Sequence, residues 1–126
     1  RLPLMHSAQC VRKNTFGCNG QEERLVLKDR YDKEFPVVCY CRPWKMGNTK
    51  AAESCYNIIY NSVPLSLHTL VEKGMQGITA YRLDFTTENG DETVSVVRYF
   101  ADLLSGTDRK PPYQEYTTGH IKRGVE

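Results

Sequence analysis

The sequence predicts an α/β fold of a few parallel strands joined by helices, with an antiparallel β-hairpin attached. From residue 55 onward, strand-like and helix-like stretches alternate, and such alternation favours parallel strands linked by right-handed crossovers. Two earlier stretches, RLVLKD (24–29) and FPVVCY (35–40), flank the polar connector RYDKE and read as a hairpin that decorates the main sheet. A chain of 126 residues reads as one domain, 1–126, with about three core strands. Half a barrel or a small open sheet is what this length supports, since a closed eight-stranded α/β barrel takes about 250 residues.

In order along the chain, LPLMHSA (2–8) is a short apolar run that fits a buried strand, ended by the polar SAQC. VRKNTFGCNG (11–20) reads as a loop punctuated by Gly17 and Gly20. Pro36 stands near the start of the second hairpin strand, where a missing N–H donor is tolerated. Residues 42–53, RPWKMGNTKAAE, are loop-like and hold the single tryptophan, whereas CYNIIYN (55–61) mixes aromatic and β-branched residues as strands do. Pro64 opens a predicted helix through LSLHTLVEKG, with Leu67, Leu70 and Val71 on one face and Gly74 as the stop. ITAYRLDF (78–85) is the strongest strand pattern. After TTENGD, the residues Val94, Val97, Phe100 or Ala101, and Leu104 recur at helical spacing until Gly106. TDRKPPYQE is an extended connector to the tail.

Composition narrows the class. Seventeen basic residues against 15 acidic ones leave a net charge of +2, too small for an overall field that draws in nucleic acid. The mean hydropathy is −0.55, and the sequence shows neither an apolar run of membrane length nor the pattern of a secretory leader. Five cysteines with no sign of secretion point to reduced thiols and a cytoplasmic location.

Those cysteines are the main chemical signal. Cys10, Cys18, Cys39, Cys41 and Cys55 are separated by seven, twenty, one and thirteen residues and lie near predicted strand ends, where they can converge. Four thiolates around one centre suit tetrahedral zinc or an iron–sulfur cluster, although no interval has the two-residue spacing of zinc ribbons. Small buried hydrophobes are the alternative role for free thiols. Arg82 and Asp84 share a face of the predicted strand 78–85 near its C-terminal end, the end at which barrels build sites, and are candidate catalytic residues beside the reading as an ion pair. His120, between Gly119 and the basic pair Lys122 and Arg123, is a candidate acid, base or anion ligand. His68 and His6 read as ordinary residues of a helix and a strand. Phosphate loops, GxSxG and HExxH patterns are absent from the sequence.

Five blocks, LPLMHSAQCVRKNTFGC, LKDRYDKEFPVVCYC, SCYNIIYNSVPLSL, AYRLDFT and YTTGHIKRGVE, together resemble the later part of the collagenase-like peptidase family of unassigned catalytic type, peptidase family U-thirty-two. The resemblance runs in order from Leu2 to Glu126. It implies a TIM-type barrel of which this chain is a C-terminal piece, inactive alone and partnered by the rest of the parent chain. Some members are named peptidases. Others are oxygen-independent hydroxylases of RNA bases or a quinone precursor, in which four cysteines hold a [4Fe–4S] cluster and prephenate supplies oxygen. Carried over on that resemblance, Cys10, Cys18, Cys41 and Cys55 are metal ligands and Cys39 is an extra thiol, with Cys39 the alternative to Cys41 as third ligand. The basic residues Arg82, Lys122 and Arg123, singled out by position alone, would meet a carboxylated donor. In relatives the third and fourth cysteines stand close together, whereas here the stretch around RPWKMGNTK separates Cys41 from Cys55. The readings carried forward are a cluster-dependent enzyme acting on RNA or a quinone precursor, a metal-free or zinc-bearing peptidase acting on peptides, and a binding piece. An isolated half-barrel would also self-associate through its open strand edges.

Overall fold

The computed structural model describes residues 1–44, 52–74, 76–119 and 121, with the side chains of 42–44 and 52–54 outside the description. The chain divides into two compact units, Leu2–Ser62 and Val63–Glu126 with Arg1.

The first unit is a four-stranded sheet in the order β1-β4-β3-β2, with β1 Pro3–Ser7, β2 Glu23–Lys28, β3 Glu34–Trp44 and β4 Ala52–Tyr60. Every pairing is antiparallel. The partial TIM-type barrel with parallel strands is therefore wrong, and so is the view of the 24–40 hairpin as a decoration: its strands are half of the sheet. The hairpin turn forms because Asp29 Oδ1 accepts the backbone N–H groups of Tyr31 (2.7 Å) and Lys33 (3.0 Å), substituting for ladder bonds where the chain reverses. Pro36 is tolerated because the β4 register begins only at Val37, so Pro36 has a neighbour on the β2 side alone.

Both edge strands belong to one connection. β1 lies at one edge and β2 at the other, and between them stands a helix, α1 (Val11–Phe16), where the sequence suggested a loop. Cys10 caps this helix by accepting the Lys13 N–H at 3.4 Å, and Gly17, at φ 84, ends it in a conformation that costs a side chain about 1 kcal/mol or more. Arg12 holds α1 in place through an ion pair with Glu23 and a bond to the Gly17 carbonyl. β1 forms as expected but is not buried: Leu4 and Met5 are each 55% exposed. The core of this unit is Val37, Val38, Cys39, Asn57 and Tyr60. Full burial of each valine contributes about 1.5–3 kcal/mol.

The second unit carries α2 (His68–Glu72) and α3 (Gly90–Leu104). α2 is shorter than its prediction and begins after Leu67 rather than at Pro64, because residues 64–66 are used otherwise: Thr117 N–H bonds the Pro64 carbonyl and Ser66 N–H bonds the Thr117 carbonyl, both at 2.9 Å, forming a parallel bridge at Leu65. Gly119, at φ 64, packs its α-carbon against Leu65, where an added Cβ would lie 3.4 Å from Cδ1.

Residues 78–85 form no strand. Their β-branched and aromatic content is a preference for a pleated, half-buried surface, and a strand exists only where a ladder partner takes up its backbone groups. Ile78 and Tyr81 stay exposed at 39% and 42%. Without that strand the strand–helix–strand unit disappears, and with it the case for parallel topology.

α3 is the longest helix and has the best-made start. Asn89 Oδ1 accepts the Glu92 N–H at 2.9 Å while Glu92 Oε2 accepts the Asn89 N–H at 2.8 Å, a reciprocal capping box. Its buried residue is Tyr99, whereas Val94, Val97 and Leu104 are 46%, 45% and 58% exposed, so the apolar stripe read from the sequence does not face the core. Asn89→Ala is expected to destabilise this unit by about 1 kcal/mol, measured by urea unfolding, with Asn89→Ser close to wild type.

Candidate functional site

In a strand, alternate residues point to the same face, so Val37, Cys39 and Cys41 share one side of β3. The register sets Cys39 opposite Asn57 and Cys41 opposite Cys55. The other face carries Tyr40 and Tyr56, facing partners whose rings stack at 4.8 Å. Three thiols thus lie on a single face of adjacent strands, and α1 brings a fourth towards them. Burial raises the Cys39 thiol, the Arg12 backbone N–H opposes that in part, and Cys10 is close enough to affect its titration.

Asn57 fixes that approach. It is fully buried, and its amide Nδ2 donates to the carbonyls of Gln9 (2.8 Å) and Ser7 (3.4 Å), tying the exit of β1 to β4 just before Cys10. Its Oδ1 has no hydrogen-bond partner among the described residues. A row of paired residues, Glu23, Cys39, Asn57 and Ser7, crosses all four strands at this level. Arg12 clamps α1 to the Glu23 end of the row.

A cavity of about 300 Å³ opens here, lined by Cys10, Cys18 and Cys55 with Gln9, Lys13 and Asn14. Cys41 stands beside Cys55 on the same sheet face, its Sγ 2.9 Å from the Cys55 Sγ. Sharing a hydrogen bond with Cys55, together with desolvation and the nearby Cys55 and Cys18, pushes the Cys41 thiol up to about 12. All five cysteines are free thiols, and Cys18 is exposed. By type, thiolate donors suit a soft metal or an iron–sulfur centre. As placed, no three His, Cys, Asp or Glu side chains among the described residues stand in a metal-holding arrangement. Two thiolates on a tetrahedral zinc lie about 3.8 Å apart, farther than the Cys41 and Cys55 sulfurs stand.

The other sequence candidates lie elsewhere. Arg82 and Asp84 do meet, with Nε at 3.0 Å and Nη2 at 2.9 Å from Oδ2, as a pair on irregular chain whose side chains are 85% and 66% exposed. Exposed pairs of this kind contribute little to stability. His120, Lys122 and Arg123 fall outside the described residues.

The second unit holds a polar cluster that sequence reading missed. Ser66 and His68, 4% and 5% exposed, meet at 2.9 Å between Ser66 Oγ and His68 Nδ1, and the Tyr113 hydroxyl bonds Ser66 while lying 3.4 Å from Nδ1. A consistent proton assignment has Tyr113 donating to Ser66 and Ser66 donating to Nδ1. Tyr99 and Tyr116 pack edge-on against the imidazole, with ring centroids at 6.0 and 4.6 Å. The only sequence signal was the proximity of Ser66 and His68, because Tyr113 joins through a pairing of distant segments. At this burial the cluster binds residues 64–68 to 113–117, and the Tyr99 hydroxyl, 1% exposed, has no partner among the described residues.

Compared with known proteins, the chain matches no family model, no curated protein and no solved structure.

Two outcomes are expected. Alkylation of Cys41, followed by peptide mass spectrometry, should accelerate only as pH approaches about 12, and in Cys55→Ala the midpoint should fall towards the ordinary 9.0. By linkage, the folded state keeps the Cys41 proton where an unfolded thiol has lost it, so stability declines from pH 9.0 to about 12 and is unaffected by this group below 9.0. In the second unit, Tyr113→Phe should cost about 1 kcal/mol in urea unfolding, whereas Tyr99→Phe should be neutral or stabilising by up to about 1 kcal/mol, since it removes a buried hydroxyl without a partner.

Proposed function

We propose that this chain is the cysteine-bearing part of a cluster-dependent enzyme, in which Cys10, Cys18, Cys41 and Cys55 hold a [4Fe–4S] centre at the face of the sheet. The observation that carries this reading is that Cys10, Cys18 and Cys55 line one cavity and the Cys41 sulfur touches that of Cys55. The resemblance of the five sequence blocks to peptidase family U-thirty-two supports the same assignment, and within that family the oxygen-independent hydroxylases of RNA bases or quinone precursors fit a thiolate donor set better than a peptidase does. On that resemblance, the reaction also needs the rest of a longer parent chain.

When bound, such a centre supplies one-electron chemistry. The chain's own residues do the rest. Asn57 orients the turn that presents Cys10, Arg12 and Glu23 hold α1 against the sheet, and the Lys13 ammonium at the cavity binds the carboxylate of a small donor. Cys39, 2% exposed, is buried in the sheet and does not line the cavity.

Anaerobic reconstitution with iron and sulfide tests the reading. The expected result is about four irons per chain with a visible sulfur-to-iron absorbance that is lost in Cys10→Ser and in Cys55→Ser. Zinc alone, or no bound metal in a chain whose circular dichroism shows it folded, would replace the cluster reading with the zinc-bearing or metal-free alternatives.

A further inference from the structure

Cys41 and Cys55 face each other across β3 and β4 in direct register. Residues paired in this way have Cα atoms about 4.5–5.5 Å apart, inside the roughly 4.4–6.8 Å over which a disulfide closes without backbone movement. Their sulfurs are already in contact at 2.9 Å, and both side chains are half-buried. Cys55 lines the cavity and Cys41 does not, so an incoming molecule meets the pair from the Cys55 side. At about 300 Å³ the cavity is at the small end of the range for ligand sites.

We propose that Cys41 and Cys55 form a thiol–disulfide exchange site that takes small disulfides and closes to a cross-strand disulfide. The Cys55 thiol gives its proton to solvent, and the thiolate attacks one sulfur of the small disulfide, forming a mixed disulfide. One small thiolate leaves and takes up a proton. Cys41 then gives up its proton and attacks the Cys55 sulfur, and the second small thiolate departs and is protonated. Two electrons pass from the two cysteine sulfurs to the small disulfide, one S–S bond replaces another, and the two protons end on the two released thiols. This site goes beyond the cluster reading, because it operates in the metal-free chain. Where that reading also holds, closure removes two of the four ligands.

The test uses the reduced, chelator-treated 126-residue chain with hydroxyethyl disulfide, followed by acid quenching, alkylation and non-reducing peptide mapping. The expected result is release of two equivalents of mercaptoethanol per chain and one dominant linked peptide joining Cys41 to Cys55. Cys41→Ser should stop at one equivalent with mercaptoethanol retained on Cys55. A mixed disulfide that persists in the unsubstituted chain, or a dominant linkage between Cys10 and Cys18, would overturn the proposal. Because the protein carries no metal in this experiment, its failure leaves the iron measurement untouched, and failure to bind iron leaves this result standing.

Discussion

The thiol site depends on the two-residue repeat of β3 and β4 taken together with their register. Cys39, Cys41, Cys55 and Asn57 share a face only because Cys39 pairs with Asn57 and Cys41 with Cys55. A slip of one residue in either strand would move its thiols to the side now taken by the stacked rings of Tyr40 and Tyr56. The register is held from both sides. Val37 is fully buried on the thiol face, and Val38 and Tyr60 are 9% and 5% exposed, so each face carries apolar area that a slip would return to water.

Within that frame Asn57 has a task that an apolar residue could not perform. A buried amide costs free energy unless its groups are paired, and the Nδ2 of Asn57 is satisfied only by the carbonyls of Ser7 and Gln9. The exit of β1 is thereby drawn across β4, and the next residue is Cys10, which caps α1 through its sulfur. Arg12 then spans from α1 to Glu23 at the far edge strand. A single chain of contacts accordingly joins both edges of the sheet through the helix that carries Cys10.

How much of this was legible in the sequence depended on range. The 24–40 hairpin was readable because the polar connector RYDKE separates two strand-like runs, so every interaction that forms it is local. The stop at Gly106 and the helix before it were readable for the same reason. The run 78–85 misled because strand propensity says nothing about the presence of a partner, and the topology inferred from it failed with it. β1 was placed as a strand, but its exposure was invisible, since that depends on what covers Leu4 and Met5. Convergence of the cysteines could be suspected from their number. Yet the pairing of Cys41 with Cys55 rests on a register that brings residues on either side of RPWKMGNTK face to face, and nothing in the spacing announces it.

That pairing sets the two proposed chemistries against each other at one set of sulfurs. Two thiolates sharing a tetrahedral metal sit about 3.8 Å apart, farther than the 2.9 Å between the Cys41 and Cys55 sulfurs. A metal held by both sulfurs would require them to stand farther apart, whereas a disulfide would require them to close further. The raised titration of Cys41 acts against both, because a metal ligand and a nucleophile must each lose the proton that the neighbouring thiols hold in place. Either proposed reaction would have to remove that proton, so the contact between these two facing strands is where the two proposals meet.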